Sequence, residues 1–169
     1  MTGIIKVDTI QNNGGTTALE IDSSGSPTFA KNISQTDLQW WNGWHNTSAQ
    51  YGANNTITNW SKQDGNGITH SSGVWTIPEA GVYRFHLSML IQTAQGGIYW
   101  WVNNTRNWRI GYGFPSADAT SEWQNIGGTI MYNFSANDTL KFTAQAANTN
   151  FYGDSNTSSV SCMCIYKVG

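Results

Sequence analysis

Residues 81–92, GVYRFHLSMLIQ, hold the chain to one class of structure. Tyr83, Phe85, Leu87 and Met89 take alternate positions, with Val82, Arg84, His86 and Ser88 in register beside them. A period of two puts the large apolar groups on one face of an extended strand, whereas a helix would scatter them around its circumference. No stretch of the chain carries a sustained 3.6-residue apolar period, because glycine or asparagine interrupts nearly every candidate.

Strand patterns recur on either side. GVWTI leads through the turn PEAG into the alternating segment, and GGIYWWVNN follows with the β-branched and aromatic residues that suit a pleated surface. GGTIMYNF, SAND and TLKFTAQA read as a hairpin. Ile130, Tyr132 and Phe134 share one face of its first arm, Leu140 and Phe142 one face of the second, and Ser, Asn and Asp supply the turn. SSVSCMCIYKVG closes the chain as a further strand. Many short strands separated by turn clusters predict an all-β antiparallel sandwich.

The 169 residues suffice for one domain with a real core and a short appendage. Charged residues are only 11% of the chain, far below the ~25% of ordinary soluble proteins, while aromatics reach 13% and include nine tryptophans. Amides and hydroxyls must then keep the surface wetted, a composition common in adhesins and virus structural proteins and rare in cytosolic enzymes. A net charge of -2 supplies no basic field for nucleic acid. No apolar run reaches the ~18–20 residues that span a bilayer. The start, MTGIIKVDTIQ, lacks the features of a secretion signal, so neither export by that route nor membrane insertion is expected.

Residues 1–34 differ from the rest. The strand-like pieces IIKVDTI and TALEI are joined by NNGG and SSGSP, in a segment too short and polar for a core of its own. It must lie on its own domain, on copies of itself or on a larger assembly. The boundary with the sandwich, residues 35–169, is placed between Lys31 and Gln35.

Catalytic chemistry finds little support. His45, His70 and His86 lie in unrelated segments without metal-ligand spacing, and no nucleophile elbow, phosphate loop or His-Glu zinc motif is present. A glycosidase needs two carboxylates about 5–10 Å apart. Asp118 and Glu122 are the pair to consider, and both read as solvated loop residues. QDGNG, residues 63–67, fails the calcium-loop pattern and reads as a turn. Cys162 and Cys164 are one residue apart on a strand, too close in direction to bridge without severe strain, and read as reduced, buried, small apolar groups. No enzyme activity, metal or cofactor is expected.

Two resemblances add to this reading. SGVWTIPEAGVYRFHLSMLI is similar to the signature of the complement globular-head and tumour necrosis factor-like jelly rolls, at Trp75, Ile77, Pro78, Gly81, Tyr83 and Phe85. YNFSANDTLKFTAQA resembles that family's strand, acidic turn and next strand. The closing strand departs from the family's Phe-x-Gly, with Val160 and Cys162 in those places. This resemblance spans roughly residues 35–169 and implies a jelly roll that associates in threes. Separately, KVDTIQNNGGTTALEIDSSG resembles a segment repeated in structural proteins of tailed bacteriophages, notably those infecting marine cyanobacteria.

Together they imply a homotrimeric fibre or knob subunit of a phage virion, assembled in the host cytoplasm. Residues 1–34 would dock it to other virion proteins or thread the trimer axis, and the jelly roll would contact host-surface polysaccharide. The rivals are a purely structural capsid or tail decoration protein and a polysaccharide-degrading enzyme.

The tryptophans are the surfaces at issue. DLQWWNGWHN puts Trp40, Trp41 and Trp44 within five residues, and Trp100 and Trp101 repeat the adjacent pair. Neighbours on a strand point to opposite faces. Trp40, Trp41, Trp100 and Trp101 are therefore trimer-interface candidates, one member of each pair entering the sandwich and the other meeting a subunit or the N-terminal arm. Sugar stacking is the alternative use. Trp108, Arg109, Tyr112, Phe114, Trp123, Phe151 and Tyr152, in segments read as loops at the sandwich ends, are the receptor-binding candidates.

Overall fold

The computed structural model describes residues 9–11, 17–21, 23–24, 27–29, 38–92, 96–113, 123–155 and 161–168. The chain divides into two units, Met1–Asp37 and Leu38–Gly169. In the first, β1 (Thr9–Gln11), β2 (Thr17–Ile21) and β3 (Pro27–Phe29) pair as an antiparallel meander, with Thr9 opposite Glu20 and Leu19 opposite Phe29. The strand-like piece TALEI thus pairs with its neighbours in a small three-stranded sheet.

The second unit contains β4 (Trp40–His45), β5 (Ala49–Tyr51), β6 (Trp60–Asn66), β7 (Thr69–Ser71), β8 (Val74–Thr76), β9 (Gly81–Gln92), β10 (Gly96–Val102), β11 (Thr105–Gly113), β12 (Gln124–Phe134), β13 (Thr139–Ala144), β14 (Thr149–Phe151) and β15 (Cys162–Lys167). One sheet runs β11-β10-β13-β8-β7. The other runs β5-β14-β9-β15-β4-β6, with β12 along the free side of β9. All the pairs are antiparallel, and the two sheets form a jelly-roll sandwich with the core between them.

Alternation builds that core. Tyr83, Phe85, Leu87, Met89 and Ile91 of β9 are fully buried, as are Leu140, Phe142 and Ala144 of β13. The sheets interlock through rings: Phe85 meets Trp100 at 5.3 Å and Phe142 at 5.9 Å between centroids, in tilted geometries that suit aromatic quadrupoles.

One connection differs from its sequence reading. SAND does not close a hairpin, because β12 pairs with β9 while β13 pairs with β10 and β8 in the opposite sheet. It is a corner between sheets, and the apolar faces of its two arms look at each other across the core. PEAG likewise carries the chain from β8 in one sheet to β9 in the other. The tight hairpins are elsewhere. Asn103 and Asn104, at φ 48° and 64°, link β10 to β11, and Ser72 and Gly73, at 50° and 77°, link β7 to β8. Two successive positive φ values are what a two-residue turn of that twist needs, and asparagine and glycine tolerate them.

QDGNG is also not a simple turn. Residues 63–66 belong to β6, whose pairing with β4 slips between Asn42 and Gly43.

One side of the sandwich closes by direct backbone approach. A methyl group on Gly111 of β11 would stand 2.7 Å from Gly127 N of β12, and one on Gly128 would stand 2.7 Å from Ile110 O. Glycine at these positions lets an edge of one sheet rest on an edge of the other, covering both.

Candidate functional site

Two surfaces of the sandwich carry chemistry. The first is the outward face of the sheet holding β9, where cross-strand register sets side chains in rows. Trp40 lies opposite Tyr166, Tyr166 opposite Arg84, and Arg84 opposite Met131. The next row runs Asn42, Cys164, His86, Thr129, and the third Trp44, Cys162, Ser88, Gly127. Arg84 stands over the Tyr166 ring at 5.8 Å, and His86 Nδ1 and Thr129 Oγ1 share a hydrogen bond of 2.9 Å.

This face is apolar and aromatic for an outer face. Met131 is 61% exposed, and Trp40, Trp44 and Tyr166 are half-buried. Trp44 Nε1 is shut off from water yet has no hydrogen-bond partner among the described residues.

The cysteines belong here, which corrects their reading as buried. Cys162 and Cys164 are free and half-buried on the outward face, with Met163 and Ile165 taking the core side of β15. Partial burial pushes both thiols above the ordinary cysteine value.

The paired tryptophans divide as adjacent strand residues must. Trp41 is fully buried and Trp100 is 5% exposed, so neither is available to a neighbouring subunit. Trp40 remains on the outward face just described. Trp101 faces outward from the other sheet, donating from Nε1 to Thr143 Oγ1 at 2.8 Å with the Lys141 ammonium 5.3 Å over its ring. The two outward tryptophans therefore lie on opposite sheets and cannot serve one patch.

The second surface is on β10 and β11. Residues 105–113, read as part of a loop, form an edge strand whose pairing with β10 slips on either side of Tyr99. Tyr99, Arg106, Asn107, Trp108 and Arg109 line an open cleft of about 460 Å³. The Arg106 guanidinium stacks 4.7 Å over Tyr99 and that of Arg109 4.8 Å over Tyr112, while Trp108 is 85% exposed. Sequence reasoning found Trp108, Arg109 and Tyr112. It missed Tyr99 and Arg106, which the hairpin through Asn103 and Asn104 brings alongside.

Among the described residues the other receptor candidates do not join this cleft. Trp123, 41% exposed, packs edge-on to half-buried Tyr152 at 5.6 Å as a separate pair. Phe151 is fully buried on β14 against Tyr51, so it is a core residue and not a contact for a ligand. Phe114, Asp118 and Glu122 lie outside the described residues.

The histidines do not converge. His45 is buried among Tyr51, Trp60 and Phe151, with Nε2 3.2 Å from Tyr51 Oη and Nδ1 3.2 Å from the Tyr152 carbonyl oxygen. Burial holds its pKa below the ordinary imidazole value, against the opposing pull of the Tyr152 and Thr58 carbonyls. His70 stacks on Trp75 at 4.6 Å and is also held low by burial. Among the described residues no group of three His, Cys, Asp or Glu side chains is placed to hold a metal ion.

No protein-family model and no curated protein matches the chain. Solved structures do. Murine APRIL at pH 8.5 superimposes with a TM-score of 0.60 at 11% identity, over 78% of this chain and 99% of that one. The globular domain of a zebrafish complement 1qA protein gives 0.60 at 12% identity, over 78% and 98%. An Eiger TNF from S. frugiperda gives 0.59 at 12% identity, over 78% and 93%. At these identities the likeness establishes the fold, a jelly roll of the tumour necrosis factor and complement globular-head type, and function has to be argued from the surfaces.

Proposed function

We propose that the chain is a non-enzymatic, homotrimeric fibre or knob subunit of a tailed-phage virion that contacts host-surface glycan during adsorption. The observation that carries the assembly is the outward face of the β9 sheet. A sandwich needs apolar residues on inner faces only, yet Trp40, Trp44, Tyr166 and Met131 lie on the outer one. Only Arg84 and His86 of the three central rows are ionisable bases, and the nearest acid in register, Asp64, sits at the margin beside Asn42. Such a surface suits burial against a second copy.

The number three comes from the resemblance to the jelly-roll family, and the virion from the resemblance of KVDTIQNNGGTTALEIDSSG to phage appendage segments. Residues 1–34 are the natural docking element in this reading. The glycan contact is assigned to the β10–β11 cleft, whose exposed Trp108 offers a ring face to sugar C–H groups. A subunit of this kind acts by position and adhesion and requires no catalytic group.

Sedimentation equilibrium of the purified protein tests the assembly. A mass three times the 18.6 kDa of the chain is expected, falling to one chain on Trp44→Asp with the sandwich still folded by circular dichroism. A monomeric wild-type protein would reject the reading.

A further inference from the structure

We infer that the cleft on β10 and β11 binds an anionic saccharide, one carrying carboxylate or sulfate groups, an inference that rests on the glycan-contact reading above. The chain has 8 lysines and arginines in 169 residues, so each placed cation is informative. Arg106 and Arg109 both stand on β11 at the cleft, on either side of Trp108. Neither forms an ion pair among the described residues.

Both guanidiniums are instead laid on tyrosine rings, Arg106 on Tyr99 and Arg109 on Tyr112. Stacking fixes the plane of each fork with no carboxylate of the described residues on its N–H edge, which is the arrangement that receives a planar anion with least loss of side-chain entropy. Lys141 continues the same surface. It lies opposite Trp101, which in turn lies opposite Arg106, and its ammonium donates to Asn104 Oδ1 at 2.7 Å.

The stripe therefore alternates cations with aromatic faces. Neutral sugars would use the rings and the Asn107 amide but gain nothing from the two guanidiniums, which stand exposed on the strand, whereas an anionic chain also gains their charge-assisted hydrogen bonds. An acidic polymer meets both requirements, ring faces for its pyranose C–H groups and guanidiniums for its anions. The volume of about 460 Å³ lies within the ~300–1,000 Å³ of small-ligand sites, and the open shape suits an internal stretch of a chain.

The test uses the full-length assembled protein immobilised on a biosensor, with polygalacturonate, heparin and dextran as carboxylated, sulfated and neutral probes. Binding to at least one anionic polymer and none to dextran is expected. Arg106→Gln or Arg109→Gln should weaken it by about 10-fold or more, in line with loss of a charge-assisted hydrogen bond. Lys62→Gln, which removes the same charge from β6, should leave it within about twofold. Trp108→Ala should also weaken it, separating a ring-lined site from a diffuse cationic surface.

Equal binding of dextran, equal loss on Lys62→Gln, or no binding to any of the three polymers overturns the inference. Those outcomes leave the trimeric knob standing if the mass of the protein is that of three chains. A monomeric protein that still binds polygalacturonate through Arg106 and Arg109 would separate the two the other way.

Discussion

Trp41 of one sheet and Trp75 of the other meet edge to face with their ring centroids 5.2 Å apart, both fully buried. Trp75 also meets Trp60 at 5.4 Å and Phe142 at 5.7 Å, so its indole is the hub of an aromatic cluster that ties the sheets together. Its Nε1 has no hydrogen-bond partner among the described residues, so the ring acts by shape and area alone. Trp75→Ala should therefore cost about 3–5 kcal/mol of unfolding free energy. Trp75→Phe should cost clearly less, since it keeps a ring and removes an unpaired buried donor. Urea titrations of the two variants check the order, and an equal loss would show that the N–H has a partner after all.

The edge closure between β11 and β12 is the next feature open to substitution. A methyl group on Gly127 would run into the Leu87 carbonyl and the Ser88 backbone of β9. Backbone cannot swing away as a side-chain end can. Gly127→Ala is expected to destabilise by about 1–3 kcal/mol through overpacking, and to speed amide exchange along β12 more than along β10. Unchanged protection of β12 would mean that the edge yields freely.

How far these relationships were legible in the chain varies. Period-two alternation fixes which residues of β9, β12 and β13 face inward, and Tyr83, Phe85, Phe134 and Phe142 are where that pattern puts them. It does not say which strand pairs with which. A hairpin and a corner between sheets both present two apolar faces joined by a polar turn, so SAND carries the same signature whether β12 pairs with β13 or, as here, with β9. Adjacent tryptophans announce opposite faces, but only the register shows that Trp40 and Trp101 end on different sheets. At the cleft, Trp108 and Arg109 stand out locally, whereas Tyr99 and Arg106 join them only across a hairpin. The loop reading failed there because asparagine, arginine and glycine lower the strand signal of an edge strand, where no inner neighbour demands β-branched packing.

Acid should weaken the fold. His45 and His70 both have pKa values held below the ordinary 6.5 by burial, so the unfolded chain binds more protons than the native one as pH falls through 6.5. Their contribution to stability is present above that value and is lost as pH drops toward and through the native values. Urea midpoints are expected to decline between pH 7.5 and pH 5, and His45→Gln should flatten the decline. A midpoint that rises on acidification would contradict the burial of His45 against Tyr51 and Trp60.

Cys162 and Cys164 report on the outer face of the β9 sheet without perturbing it. They project toward the same side from alternate positions of β15, flanked by Trp44 and Asn42 on one strand and by Ser88 and His86 on the other. Burial raises both thiol pKa values, which lowers the thiolate fraction at neutral pH and slows alkylation. In a lone subunit the groups are half open and should react, slowly, with a small maleimide. In a trimer that buries this face they should be protected until the subunits separate. Labelling at increasing dilution, read by intact mass, is therefore expected to show two modified thiols appearing together as the assembly dissociates. Labelling at the same rate at every concentration would place the subunit contacts on some other surface and leave Trp40, Trp44 and Tyr166 to a different partner.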